Sequence, residues 1–292
     1  MTFSIGLDIG GTKIAGAIFD ESGHELSRAS GATPKAYGEL LDMCGRIVTQ
    51  LEERGTAGFI GVCAPYADEN MCSNMPCLVG RDLSADLKAR FGRSVAIEND
   101  ANCAALAEAL EGAGRGHNAV VCVILGTGVG SGFVLDGKFR SGANGICGEI
   151  GHLPLPGYDD GDGPQLPCNC GQKGCIETFI SGGGLSRLYE RRTKRLLDAR
   201  QIAERVNAGE AEAREVVDAY STLVAKAMVS VLHTFDPDII VVSGGLSALP
   251  IYDEVPKRWG RYATRQRIKT LFKPALLGPI AGLRGAALLG QR

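Results

Sequence analysis

Short apolar runs broken by glycine turns fill the first half of the chain, and longer periodic stretches fill much of the second. Residues 3–9 form one apolar run, Gly10-Gly11-Thr12-Lys13 breaks it, and a second run goes from Ile14 to Phe19. Asp20-Glu21-Ser22-Gly23 then makes a turn before a third strand through Ser30. This pattern predicts a β-meander with a glycine turn at its first corner. Leu40, Leu41, Cys44, Ile47, Val48 and Leu51 recur at helical spacing within 35–54. A buried strand from Phe59 to Cys63 follows, then a loop holding Pro65, Asn74 and Pro76, a short helix over 84–91 and a strand from Val95 to Glu98. An alanine-rich helix over 101–111 begins immediately after Asn99-Asp100.

The second half repeats the opening device. A continuous apolar strand from Ala119 to Leu125 meets Gly126-Thr127-Gly128-Val129-Gly130-Ser131-Gly132, and Phe133-Val134-Leu135 leads to an Asp136-Gly137 turn. A dinucleotide fingerprint fails here, because G-x-G-x-x-G would need glycine at Ser131 and a helix where a strand follows. Walker spacing is absent as well. Strand, glycine turn, strand, turn thus occurs at 5–23 and again at 120–138, which predicts a duplicated domain with two glycine hairpins facing a cleft. Further on, Ser181-Gly182-Gly183-Gly184 enters helical sequence, 198–208 continues it, and a long amphipathic helix over about 210–235 stops at Asp236-Pro237. Asp238 to Val242 reads as a strand closing on a third glycine turn, Ser243-Gly244-Gly245, and residues 282–289 as a small-faced terminal helix. No linker or charge block divides the chain.

Composition narrows the function classes. A formal charge of −2 over 292 residues leaves no basic field for nucleic acid or an anionic membrane. No apolar run approaches the roughly eighteen residues of a membrane span. Ten cysteines invite a disulfide reading, but no signal peptide precedes them, and Cys63, Cys103 and Cys122 sit inside apolar runs as small hydrophobes. A reducing cytoplasm is the expected compartment.

Three places carry candidate chemistry. Asp8, among apolar neighbours just before the first glycine turn, is costly to bury unless it meets a cation or water. Bare N–H groups at Gly10 and Gly11, with Thr12 and Lys13, suit a phosphate. Asp100, at a strand end and a helix start, is open to two readings: an N-cap worth about 1 kcal/mol, or a ligand-facing group beyond the carboxyl end of a strand. His152, Cys168, Cys170 and Cys175, spaced His-x15-Cys-x-Cys-x4-Cys, offer the four N/S ligands tetrahedral zinc takes. The bland alternative is three core thiols and a satisfied histidine.

Together these residues resemble the ROK family of sugar kinases, nearly end to end. The resemblance rests on Asp8-Ile9-Gly10-Gly11-Thr12-Lys13, Glu98-Asn99-Asp100-Ala101-Asn102-Cys103-Ala104, Leu125-Gly126-Thr127-Gly128-Val129-Gly130 and Gly148-Glu149-Ile150-Gly151-His152. It also rests on Cys168-x-Cys170-Gly171-x-x-Gly174-Cys175-x-Glu177, and on Asp236-Pro237-Asp238 through Gly244-Gly245. It implies a duplicated actin/hexokinase-like (ribonuclease H-like) α/β fold, with lobes at 1–116, completed by a terminal helix at about 280–292, and at 117–279.

The implied reaction is ATP-dependent phosphorylation of a hexose or N-acetylhexosamine at its 6-hydroxyl. Asp100 matches the family's catalytic base, Asp8 lies near its Mg²⁺, and Gly244 and Gly245 lie near adenosine. Gly10, Gly11, Thr12 and Lys13, with Gly126, Thr127, Gly128, Val129, Gly130 and Gly132, match its phosphate loops. Asn74, Asn99, Asp100, Glu149, His152 and Glu177 match its sugar contacts, and His152, Cys168, Cys170 and Cys175 its structural zinc. Four protein ligands leave a zinc ion no open position for chemistry, so its implied role is to hold a loop.

Two stretches bear on the sugar. Asn74-Met75-Pro76 is similar to members acting on N-acetylglucosamine, the expectation adopted, while residues 177–182 are similar to members acting on fructose. Glucose and N-acetylmannosamine are the other family alternatives. Ala64-Pro65-Tyr66 departs from the Pro-Gly that many relatives carry, and Leu277-Gly278-Pro279 from their His-Gly-Asp. A repressor of the family needs a helix-turn-helix before the first glycine hairpin, which here begins within ten residues. A non-catalytic sugar sensor is the alternative from another class. Nucleic acid and membrane are not expected partners, and a homodimer is compatible with the family.

Overall fold

The computed structural model describes residues 3–65 and 75–290. The chain divides into two compact units, Met1–Ala107 with Pro279–Arg292, and Glu108–Gly278. The first crossing therefore falls inside a helix, earlier than residue 116.

The first unit holds strands β1 (Phe3–Ile9), β2 (Lys13–Phe19) and β3 (Glu25–Ala32), then helix α1 (Tyr37–Glu52), strand β4 (Ala57–Cys63), helix α2 (Leu83–Phe91), strand β5 (Val95–Glu98) and helix α3 (Asp100–Leu110). Its sheet runs β3-β2-β1-β4-β5. The meander is antiparallel, while β4 and β5 add in parallel to β1. Alternation sets the faces: Ile14, Gly16 and Ile18 of β2 are buried. Helix α1 turns Leu40, Cys44, Ile47, Val48 and Leu51 inward, the stripe its spacing predicts.

The second unit repeats the plan with β6 (Ala119–Leu125), β7 (Val129–Leu135) and β8 (Lys138–Phe139), followed by helices α4 (Ile176–Ile180), α5 (Gly182–Thr193), α6 (Ala199–Asn207) and α7 (Ala211–Thr234). Strand β9 (Ile239–Ser243), helix α8 (Glu254–Trp259) and strand β10 (Leu271–Pro274) complete it. The sheet order β10-β9-β6-β7-β8 is that of the first unit read from the other edge, with the same antiparallel meander and parallel additions. The expected duplicated α/β architecture is present. The sequence reading did not resolve α4, α8 and β10, whose lengths of four to six residues carry too little periodicity.

Helix α7 corrects one expectation. An 18-residue window in it reaches a mean hydropathy of 1.2, so by length and composition it is apolar enough to cross a membrane, and 72% of that window is buried inside the fold. Its core position explains the composition. Lys226 points inward at 1% exposure, and its Nζ lies 2.8 Å from Asp159 and 2.6 Å from Asp162. This pair pins the 159–162 turn, itself closed by a capping box, against the helix.

The last helix, α9 (Ala281–Leu288), belongs to the first unit and packs on β1 and β4. Glycines make that possible. A Cβ on Gly6 would overlap the Leu283 carbonyl, and one on Gly61 the Ala286 carbonyl, so helix backbone lies directly on strand backbone. Replacing Gly61 with alanine is expected to cost about 1–3 kcal/mol or more by overpacking. Urea unfolding should show the lowered midpoint, and an unchanged one would contradict the close approach.

Candidate functional site

In the first unit, three parallel strands end side by side. Asp8 of β1 is in register with Cys63 of β4, and Cys63 with Glu98 of β5. A ligand in an open α/β sheet lies beyond such ends. Asp8 is half-buried, and burial followed by the Asp100 charge raises its carboxyl above the usual range, against a hydrogen bond from Cys63 and the charge of Lys13. Asp8, Lys13 and Asp100 therefore share one electrostatic neighbourhood. Such a raised carboxyl is what a cation would relieve, so the residues present fit the Mg²⁺ implied for this position.

Asp100 does not cap its helix. That work falls to Asn99, whose Oδ1 accepts the Asn102 N–H at 2.7 Å. Asp100 is exposed, and among the described residues its Oδ1 accepts only the next backbone N–H, of Ala101, at 2.9 Å. The capping explanation for Asp100 is thereby removed, which leaves its carboxylate open to solvent for other work.

The first glycine turn is closed by Gly10 N–H to the Lys13 carbonyl at 3.1 Å, leaving Gly11, Thr12 and Lys13 exposed. Thr33, which the sequence reading passed over, braces it: its hydroxyl donates to the Gly10 carbonyl at 2.6 Å and its N–H to the Thr12 carbonyl at 3.1 Å.

The second glycine turn is shorter than its sequence suggests. Leu125 pairs with Val129, so the turn is 126–128, and Gly130 and Gly132 lie within β7 opposite Ile124 and Cys122. Thr127 is exposed. The Gly126 carbonyl accepts the Gly182 N–H at 2.8 Å, which fixes the turn at the start of α5. The Val129 N–H goes to Glu177 Oε2 at 2.9 Å. A Cβ at 128 would stand 2.5 Å from that oxygen, so a side chain there would displace Glu177 from the turn. Gly244, at the end of β9 with a φ of 87°, presses on the Leu125 backbone, and both Gly244 and Gly245 are exposed.

Glu177 thus links the turn to the cysteine cluster, since its Oε1 lies 3.9 Å from the Cys168 thiol. Cys168 Sγ is 3.4 Å from His152 Nδ1, and Cys170 Sγ is 3.6 Å from Cys175 Sγ. All four ligand atoms lie within 4.8 Å of one another. Zinc bonds of about 2.0–2.3 Å in a tetrahedron demand ligand separations of roughly 3.5–3.8 Å, so the donor set fits that ion. Burial and the neighbouring Cys170 and Cys168 thiols push Cys175 up to about 12. Thiolates gather at one point only with a cation between them. The other histidine nitrogen, Nε2, lies 3.7 Å from Glu149 Oε2, longer than a hydrogen bond.

Each set lies within its own unit: Asp8, Gly10 to Lys13, Asn99 and Asp100 in the first, and the second turn, Glu149, His152, Glu177, the cysteines and Gly244-Gly245 in the second. Asn74 and Tyr66 lie outside the described residues.

The ROK family model matches residues 4–292. The chain belongs to the ROK family. Among this ROK protein's relatives is the N-acetyl-D-glucosamine kinase of Pectobacterium carotovorum, 38% identical over 97% of each chain. The enzyme of the same name from Vibrio atlanticus is also 38% identical, over 97% of this chain and 98% of its own. Among solved structures, a ROK hexokinase from Thermus thermophilus superposes with a TM-score of 0.84 at 31% identity, covering 98% of this chain and 97% of its own. A ROK glucokinase from Streptomyces griseus, in complex with glucose and AMPPNP, gives 0.79 at 30% identity over 99% of both.

Two outcomes follow from this geometry. A carboxyl whose pKa is raised by folding binds more protons folded than unfolded, so it costs stability as pH rises through its titration. Asp8→Asn removes that cost: its melting temperature relative to wild type, without nucleotide or Mg²⁺, should rise between pH 4 and pH 8, and a flat difference would contradict the burial argument. Metal analysis of the purified protein should find zinc, and Cys170→Ser should lose it together with thermal stability. Full zinc in that variant would remove Cys170 from the ligand set.

Proposed function

We propose that this ROK protein is an ATP-dependent kinase that phosphorylates the 6-hydroxyl of N-acetyl-D-glucosamine. The observation that carries the proposal is near full-length identity of 36–38% to relatives named for that activity. The Asn74-Met75-Pro76 stretch supports the same sugar, and the hexokinase and glucokinase structures at about 30% identity support the wider hexose class.

The chemistry asks mainly for positioning and charge stabilisation. In the proposed step the sugar 6-oxygen attacks the γ-phosphorus of ATP, its proton passes to the Asp100 carboxylate, and the bond from phosphorus to the ADP oxygen breaks. Asp100 suits this role because it is exposed and carries no capping duty. The Gly10 and Gly126 N–H groups close their own turns on the Lys13 and Gly128 carbonyls, so the other N–H groups of the two turns would meet phosphate, with Lys13 adding charge, and Gly244-Gly245 would lie near adenosine. Mg²⁺ held near Asp8 supplies charge neutralisation on the phosphates. Asn99, Glu149, His152 and Glu177 would hold sugar hydroxyls as paired donors and acceptors. Glu177 already gives one oxygen to Val129, which leaves Oε1 for a hydroxyl. Zinc at His152, Cys168, Cys170 and Cys175 fixes the segment that carries Glu149 and Glu177. The two compact units would serve as the two lobes of the kinase. Use of ATP and the absence of disulfides among the described cysteines fit a cytoplasmic enzyme.

A coupled ADP-release panel of N-acetylglucosamine, N-acetylmannosamine, glucose, fructose and mannose tests the substrate, with the highest kcat/KM expected for N-acetylglucosamine. Asp100→Asn should lower kcat by about 10²–10⁴ while sugar affinity holds. Turnover within about tenfold of wild type would exclude the base role.

A further inference from the structure

Asn99 alone joins β5 to α3, Asp100 is the first residue of the helix, and Glu98 holds this corner from both sides. One oxygen, Oε1, accepts the Asn99 N–H at 2.9 Å and the Asn102 side-chain N–H at 3.1 Å. The Glu98 carbonyl accepts the Ala64 N–H at 2.9 Å, which fixes the strand end to β4. Glu98 is 4% exposed and Asn102 is fully buried, so no solvent competes for these bonds. A carboxylate is acceptor-only, so the amide nitrogen of Asn102 faces Glu98 and Oδ1 faces away. That Oδ1 finds no donor among the described residues, and the Asn102 side chain therefore works only through the N–H it gives to Glu98.

The corner decides where the Asp100 carboxylate points. Its Oδ1 is bonded to the N–H of the adjoining residue, so the carboxylate follows the backbone at 100–101, and its exposed oxygen has no side-chain tether among the described residues. A displacement of about 1 Å in a reacting group costs about 10²-fold in rate. We propose that Glu98, oriented by Asn102, is a positioning residue that holds the Asn99-Asp100 corner for catalysis, a reading that rests on Asp100 being the base.

A kinetic double-mutant cycle tests this on the full chain with ATP, Mg²⁺ and N-acetylglucosamine, or the panel's best sugar. Glu98→Ala is expected to lower kcat by about 10–100-fold. Adding it to Asp100→Asn should then cost no more than about threefold beyond Asp100→Asn alone, because residues acting through one group are not additive. Glu98→Gln, which keeps an acceptor oxygen at that place, should recover much of the rate lost in Glu98→Ala. A purely structural role would multiply the two losses instead.

Three results overturn the proposal: Glu98→Ala turning over within about threefold of wild type, multiplicative losses in the double variant, or Glu98→Gln as slow as Glu98→Ala. Where Glu98→Ala fails to fold, Asn102→Ala, which removes the amide that Glu98 accepts, takes its place in the same cycle, judged by the first two criteria. Failure of the base reading shows separately, as an active Asp100→Asn, and a slow Glu98→Ala beside it would mean that Glu98 acts by another route.

Discussion

Glu108 is fully buried in the second unit, and its two oxygens take the N–H groups of Ala113, Leu276 and Leu277 at 2.8–3.2 Å. A carboxylate removed from water has to be met by donors, and here they come from backbone. The same constraint recurs at Glu98, which takes the Asn99 N–H, and at Glu177, which takes the Val129 N–H. Each carboxylate or its partner stands at the end or the start of a strand or helix, the places where backbone N–H groups lack regular partners. One side chain thereby satisfies a corner and fixes its shape. Glu108 does this where the second unit begins and just before it ends, since residues 276 and 277 precede its last residue, Gly278.

The two copies of the fold spend this device differently. In the first unit it leaves Asp100 exposed and Asp8 half-buried, so burial first and the Asp100 charge second raise Asp8. In the second, Glu177 ties a glycine turn to a segment with little regular structure between β8 and α4. Such a segment has few ladder bonds of its own to set its course. The four donors at His152, Cys168, Cys170 and Cys175 converge there within 4.8 Å of one another, and a cation bound among them would supply the missing cross-link.

Much of this was legible in the sequence because it is local. The two strand–glycine–strand devices are apolar runs with unmistakable breaks, and they fall where β1–β2 and β6–β7 meet. The ligand spacing of the cysteine cluster also needed no tertiary knowledge. Asp100 was ambiguous because Asn99 and Asp100 are both good caps, and only the hydrogen bond to Asn102 separates them. The second turn was overextended because Gly130 and Gly132 are loop-like residues used as strand, opposite Ile124 and Cys122. Thr33 escaped notice because its partners lie on backbone, which no side-chain motif reports, and Glu98 was read only as part of a motif because its bonds to Asn99 and Asn102 show only in the fold. Helix α7 was not flagged as apolar because Asp218 and Lys226 interrupt its run, and only the fold shows Lys226 neutralised from outside the helix.

The packing of α9 on β1 and β4 has a consequence for how the protein is made. Synthesis runs from the N-terminus, and domains generally fold as they emerge. The first unit's sheet begins with Phe3 yet lacks the helix that covers one face of it until residues 281–288 leave the ribosome. The second unit is continuous in sequence and has all its elements earlier. The order of completion is therefore the reverse of the order of translation. Until residues 281–288 have been made, Gly6 and Gly61 mark a bare groove on a nascent sheet, which is the interval in which a chaperone or an aggregating neighbour has access to it.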